Sequence, residues 1–118
     1  MAEAAAAPLR DASGASRRIA IAADHPAFVG HFPGRPLLPG VALVAEVLEA
    51  AAADAALATA IGPAPRLAAV KFLAPVLPGA WLDIAFQPGE RSIGFTVHEG
   101  GRVAASGQFM RAAGEAPR

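Results

Sequence analysis

No cysteine occurs in the chain, which removes disulfides, thiolate nucleophiles and cysteine-based zinc sites together. That composition fits a reducing compartment and sets the expectation of a cytoplasmic protein. An excess of charge of either sign is also missing. Ten Lys and Arg residues balance ten Asp and Glu residues, and neither a Lys/Arg run nor a basic stretch interleaved with aromatics appears. The electrostatic footprint of a nucleic-acid-binding protein is therefore absent. Nor is there a long apolar run free of charge. The segment 41–61 comes closest, but Glu46, Glu49 and Asp54 interrupt it and alanine supplies most of its bulk. It reads as a helix packed on protein, not as a membrane span. Residues 1–16, MAEAAAAPLRDASGAS, place a short alanine run between Glu3 and Arg10, without the basic start and longer apolar region of a signal peptide. Disordered tails are expected over 1–16 and 112–118.

What is present suits one small domain. The 118 residues, 54% of them hydrophobic, suffice for a single modest core, placed here over 17–111. From Arg17 to Ala22 the order RRIAIA puts Ile19 and Ile21 on one side, the period-2 pattern of a half-buried strand. Between Pro26 and Gly40 prolines and glycines are too dense for regular helix and predict a defined extended loop. Pro39-Gly40 then opens a helix expected to run to about Ile61, where Gly62-Pro63 stops it. At 100° per residue, Val41, Val44, Val47, Leu48, Ala51 and Ala55 fall on one stripe, with Glu46 pointing away from it. Four strands follow, Arg66–Leu73, Ala80–Phe86, Arg91–His98 and Arg102–Met110, separated by Pro- and Gly-containing turns. In the second and third of these, Leu82, Ile84 and Phe86 and then Ile93, Phe95 and Val97 alternate with other residues, which predicts one buried face. A strand, a long helix and a run of hairpin-connected strands imply an α+β domain with an antiparallel sheet wrapped around the helix.

Three histidines compete for chemistry. His98 ends a strand beside Glu99-Gly100-Gly101 and reads as a solvated hairpin residue, while His25, before Pro26, reads as a turn cap. His31 stands apart because Gly30, Phe32, Pro33 and Gly34 fix its backbone and flank its ring with apolar surface. Desolvation there favours the neutral imidazole, the form a general base needs. The same surroundings also suit a histidine that is merely packed in its loop. The start of the helix supplies a second feature. Its first amides, at Gly40 and Val41, have no partner within the helix and carry partial positive charge that suits an oxygen becoming negative. Glycine at position 40 permits close approach of a ligand to the backbone. The scattered histidines have no metal-ligand spacing, so no metal is expected.

The run Phe28-Val-Gly-His-Phe-Pro-Gly-Arg-Pro-Leu-Leu-Pro-Gly-Val41 resembles the loop-and-helix signature of bacterial 3-hydroxyacyl-acyl-carrier-protein dehydratases. Lys71-Phe-Leu-Ala-Pro-Val-Leu-Pro-Gly79 resembles the strand and turn that follow the helix in that family, and the likeness spans roughly 17–111. The resemblance implies a hotdog fold and a dimer whose two sites lie across the subunit interface. The implied substrate is a 3-hydroxyacyl thioester on the 4'-phosphopantetheine arm of acyl carrier protein, dehydrated to a 2-enoyl thioester without a cofactor. By the same resemblance His31 matches the base that removes the C2 proton, and Gly40 the amide near the thioester carbonyl. Phe28, Phe32, Val41 and Ala45 fall at substrate-binding positions, and the apolar run Ala42–Val44 is placed to line an acyl tunnel.

The pattern departs from the family at one position. The family's acid, Glu or Asp, lies fourteen residues after the histidine, where this chain has Ala45. Glu49, one helical turn further and about 40° around, is the better-placed substitute, while Glu46 is rotated about 100° from Ala45. Glu49 also suits an ordinary helix-surface glutamate. Three functions remain to be weighed. One is an active dehydratase using Glu49, a water or a partner's carboxylate as acid. Another is a non-catalytic subunit that binds carrier protein or an acyl chain in a hetero-oligomer with a paralogue, and a third, ranked below these, is a thioesterase. Arg17, Arg18, Arg35, Arg66, Lys71 and Arg91 are the candidates for a basic rim against an acidic carrier.

Overall fold

Strands form where β-branched and aromatic residues alternate with small or polar ones, and in this chain that patterning is clearest over 82–86 and 93–97. The computed structural model describes residues 15–28 and 37–112. Within them β1 (Ala15–Ala20), β2 (Leu67–Phe72), β3 (Trp81–Pro88), β4 (Ser92–Glu99) and β5 (Arg102–Met110) make one antiparallel sheet in the order β1-β3-β4-β5-β2. The expected α+β arrangement is present. β1 starts two residues earlier than the Arg17–Ala22 pattern suggested and ends at Ala20, and β3 continues to Pro88.

Alternation decides which side faces inward. Leu82, Ile84 and Phe86 of β3, Ile93, Phe95 and Val97 of β4, and Ala105 and Phe109 of β5 are buried in one cluster with Ile21. Trp81, out of phase with them, is 54% exposed. The cluster is closed by α1 (Gly40–Ala52) and α2 (Ala55–Ile61) through Leu43, Val47, Ala50, Ala51, Leu57, Ala60 and Ile61.

The helical segment differs from expectation in two ways. It is two helices, because Asp54 is extended (φ −109°, ψ 119°) and its Oδ1 accepts a hydrogen bond from the Leu57 amide at 3.0 Å. An aspartate is well suited to satisfy the first amides of a new helix, and here that preference overrides continuation. Gly62, at φ +79°, ends α2 in a conformation that a side chain would strain. The second difference is the rotation of α1. Its core stripe is Leu43, Val47, Ala50 and Ala51, whereas Val41 is 81% exposed. A helix apolar on nearly every side offers no unique stripe, so periodicity placed Val47 and Ala51 inward correctly but not Val41.

β2 carries a bulge. Between the pairs Ala68↔Gln108 and Lys71↔Ser106, Ala69 and Val70 stand opposite the single residue Gly107, and Ala69 adopts φ +56°. Val70 and Phe95 occupy the space above Gly107 that a side chain would fill. Among the described residues no helix is long and apolar enough to cross a membrane.

Candidate active site

The two ends of the Pro/Gly-rich loop are tied to the same connection. Ile21 donates its amide to Ala80 O at 2.8 Å and accepts from the Gly79 amide at 2.9 Å, while Leu38 donates to Val76 O at 2.8 Å. The β2–β3 connection thereby fixes where the loop leaves β1 and where it joins α1. The loop's central residues, with His31, Phe32 and Arg35, lie outside the described residues.

At the loop's far end, Pro39 holds φ −60° and ψ 150° and begins α1 with no side-chain cap. Its carbonyl accepts from the Ala42 and Leu43 amides, both at 3.0 Å, which leaves the Gly40 and Val41 amides at the open end of the helix. An apolar cavity of ≈ 360 Å³ adjoins this end, lined by Leu38, Gly40, Leu43, Phe72, Ala74 and Val76 among others. Phe72 covers Gly40 closely: a Cβ built there would meet the ring at 2.7 Å. The glycine that the sequence singled out therefore lies under an aromatic ring at the mouth of an apolar pocket.

The carboxylates are arranged differently from expectation. Ala45 and Glu49 lie on the exposed side of α1 with Val41, and Glu49 makes no hydrogen bond or ion pair among the described residues. Glu46, expected to face solvent, is half-buried on the flank of the core stripe. Its Oε2 lies 2.8 Å from Nε2 of His25, with side-chain exposures of 24% and 22%. His25 sits in the turn that closes with the 3-10 segment Pro26–Phe28. Its Nδ1 accepts from the Ala27 amide at 3.0 Å. That bond requires an unprotonated Nδ1, so the proton is on Nε2 and is donated to Glu46. Phe28 packs edge-on to the imidazole, with centroids 6.1 Å apart and planes at 79°. His25 does cap its turn, but the pairing with Glu46 was missed. No sequence period links positions 21 residues apart.

His98 also departs from its expected solvated state. It is half-buried opposite Asp83, and its Nδ1 is shielded from solvent with no partner among the described residues. Among the described residues Arg17, Arg18, Arg66 and Lys71 do not form one rim. Arg17 and Arg18 are on β1, while Lys71 is on β2 and Arg66 directly precedes it, at opposite sheet edges. With strands about 4.8 Å apart, four spacings separate those edges by about 19 Å. Arg18 is further engaged, 3.7 Å from Asp83 and stacked 5.2 Å over the Trp81 ring. Among the described residues no three metal-ligating side chains come together.

Known structures share this architecture. The dehydratase heterocomplex ApeI:P from Xenorhabdus doucetiae is similar, at 27% identity and a TM-score of 0.69 over 87% of this chain and 91% of that one. An uncharacterized protein from Erwinia carotovora subsp. atroseptica is 26% identical, with a TM-score of 0.62 over 87% of each chain. A pyran synthase domain from module nine of the sorangicin pathway shares the fold at 20% identity and a TM-score of 0.67, over 92% of this chain and 39% of that one. Among curated proteins none matches significantly. These neighbours and the sheet-around-helix arrangement identify a hotdog fold. The family model for ApeI-like proteins, described as ApeI dehydratase, matches residues 9–108. Most of the sequence lies within that match, and the chain belongs to the ApeI-like dehydratase family.

Proposed function

We propose that the protein eliminates water from a 3-hydroxyacyl thioester carried on acyl carrier protein, leaving a 2-enoyl thioester. The observation that carries this reading is the open helix end at Gly40 beside an apolar cavity, in a chain of a dehydratase family. In this reading the thioester carbonyl accepts from the Gly40 amide, where helix-end charge stabilises the oxygen as it becomes negative. His31 takes the C2 proton, the C2–C3 double bond forms, and the C3–O bond breaks. The departing hydroxyl receives a proton and leaves as water, so no redox or group-transfer cofactor is needed. Phe28 and Phe32 supply apolar surface at the site. Ala45 leaves the proton donor to Glu49, to a water or to a second subunit.

The exposed Val41–Ala45 side of α1 supports an assembly in which a second hotdog subunit covers it. A homodimer satisfies this. A hetero-oligomer in which a paralogue supplies the missing carboxylate is the second reading, supported by Ala45 and by the 27% identical neighbour being a heterocomplex.

The test follows enoyl thioester formation from 3-hydroxyacyl-carrier-protein substrates of several chain lengths, with His31→Ala in parallel. Turnover that is lost in His31→Ala supports the dehydratase. No turnover at any length, with an active relative as positive control, refutes activity of the chain alone and favours the half-site reading.

A further inference from the structure

The Glu46–His25 contact joins two stretches that both lead into the candidate site. On one side is α1, whose first turn opens at Gly40. On the other is the turn at 25–28, three residues before His31. Among the described residues this is the one side-chain hydrogen bond between the 21–28 segment and α1. It is also saturated from the histidine's side. Nδ1 is occupied by the Ala27 amide and Nε2 by the carboxylate, so His25 has no ring nitrogen left to take a substrate proton.

The geometry points to a positioning role for this pair: Glu46, through His25, holds the turn that leads into the His31 loop against α1. The inference rests on the dehydratase reading above. The backbone anchors at Ile21 and Leu38 fix the two ends of the segment between β1 and α1 and leave the turn at 25–28 to other contacts. His25 supplies one such contact through three links. Its backbone takes part in the turn as donor to Ala22 O and acceptor from Phe28 N, both at 3.0 Å. Its ring caps Ala27, and its far nitrogen reaches the helix. Phe28 rests against the ring edge, so tilting the imidazole moves the residue from which the His31 loop departs. Phe28 stands three residues before His31 in the sequence, so the turn held by the pair is the last described stretch before that histidine. Misplacement of a reacting group by about 1 Å can cost on the order of 10²-fold in rate.

Positioning requires Glu46 only as a hydrogen-bond acceptor, which separates it from a role as proton donor. Glu46→Gln keeps an acceptor for Nε2–H, Glu46→Ala removes it, and His25→Asn keeps an acceptor for the Ala27 amide while falling short of α1. The experiment measures kcat and KM on a 3-hydroxyacyl-carrier-protein substrate for these three variants and for the Ala/Asn double variant. Hydrogen–deuterium exchange of peptides spanning 20–30 is measured alongside. Expected results are a kcat about 10- to 100-fold lower in Glu46→Ala and His25→Asn with KM changed less than about twofold, and a double variant no worse than the poorer single. Glu46→Gln should stay within about threefold of wild type, and exchange over 20–30 should rise in Glu46→Ala but not over 43–52. A Glu46→Gln as impaired as Glu46→Ala would overturn the role and make the carboxyl proton the operative feature. Multiplying losses in the double variant, or unchanged exchange over 20–30, would overturn it too. A wild-type protein without turnover, beside raised exchange in Glu46→Ala, would remove the dehydratase reading and the positioning role while leaving the contact as a structural tie.

Discussion

Two glycines approached equally closely by aromatic rings should respond to the same substitution in opposite ways. A Cβ at Gly107 would stand 2.8 Å from Phe95 Cζ and 3.1 Å from Val70 Cγ2. A Cβ at Gly40 would stand 2.7 Å from Phe72 Cζ. Phe95 is 2% exposed and packs on Phe109 with centroids 5.3 Å apart, so it has nowhere to retreat. Adding a methyl group to such a packed interior costs about 1–3 kcal/mol. Glycine-to-alanine restriction of the unfolded chain returns about 0.4–1 kcal/mol. Gly107→Ala should therefore lose about 1–2 kcal/mol. Phe72 is 53% exposed, so its ring can swing outward at little cost and Gly40→Ala should fall within about 0.5 kcal/mol of wild type. Urea unfolding at one fixed protein concentration reads the difference. In thermal melts Gly107→Ala should melt several degrees lower, since about 4–8 °C accompanies each kcal/mol in a domain of this size. Equal losses at the two sites would refute the argument from exposure and mean that Phe72 is held as firmly as Phe95.

Removing the cap of α2 by Asp54→Ala should cost about 1 kcal/mol, seen as a lower urea midpoint with unchanged slope; an unchanged midpoint would mean that the Leu57 amide finds an equivalent partner. Val41→Glu places a charge on the exposed side of α1. If a second subunit covers that side, the variant should sediment as a monomer where wild type sediments as a dimer; identical masses would place the interface elsewhere.

The sheet was largely legible because its information is local. Alternation over 82–86 and 93–97 marks the inward face, and Gly-containing turns mark the hairpins, so strand order followed from chain order apart from β2. That strand crosses to the far edge beside β5. The bulge at Ala69–Val70 had no local signature, since the residue that requires it, Gly107, lies on the partner strand. The Gly40 helix start was legible for the opposite reason: a proline, a glycine and the end of a loop adjoin it in sequence.

What the sequence by itself determined is the α+β class, one core and the helix start at Gly40. Each of these depends on neighbours along the chain. Tertiary structure alone decided the rotation of α1. An alanine-rich helix is apolar all round, and only the sheet beneath it selects Leu43 over Val41. With that rotation set, Glu46 turns from an expected solvent face to the turn at His25. A half-buried hydrogen bond between residues 21 apart forms only because the fold brings them to 2.8 Å.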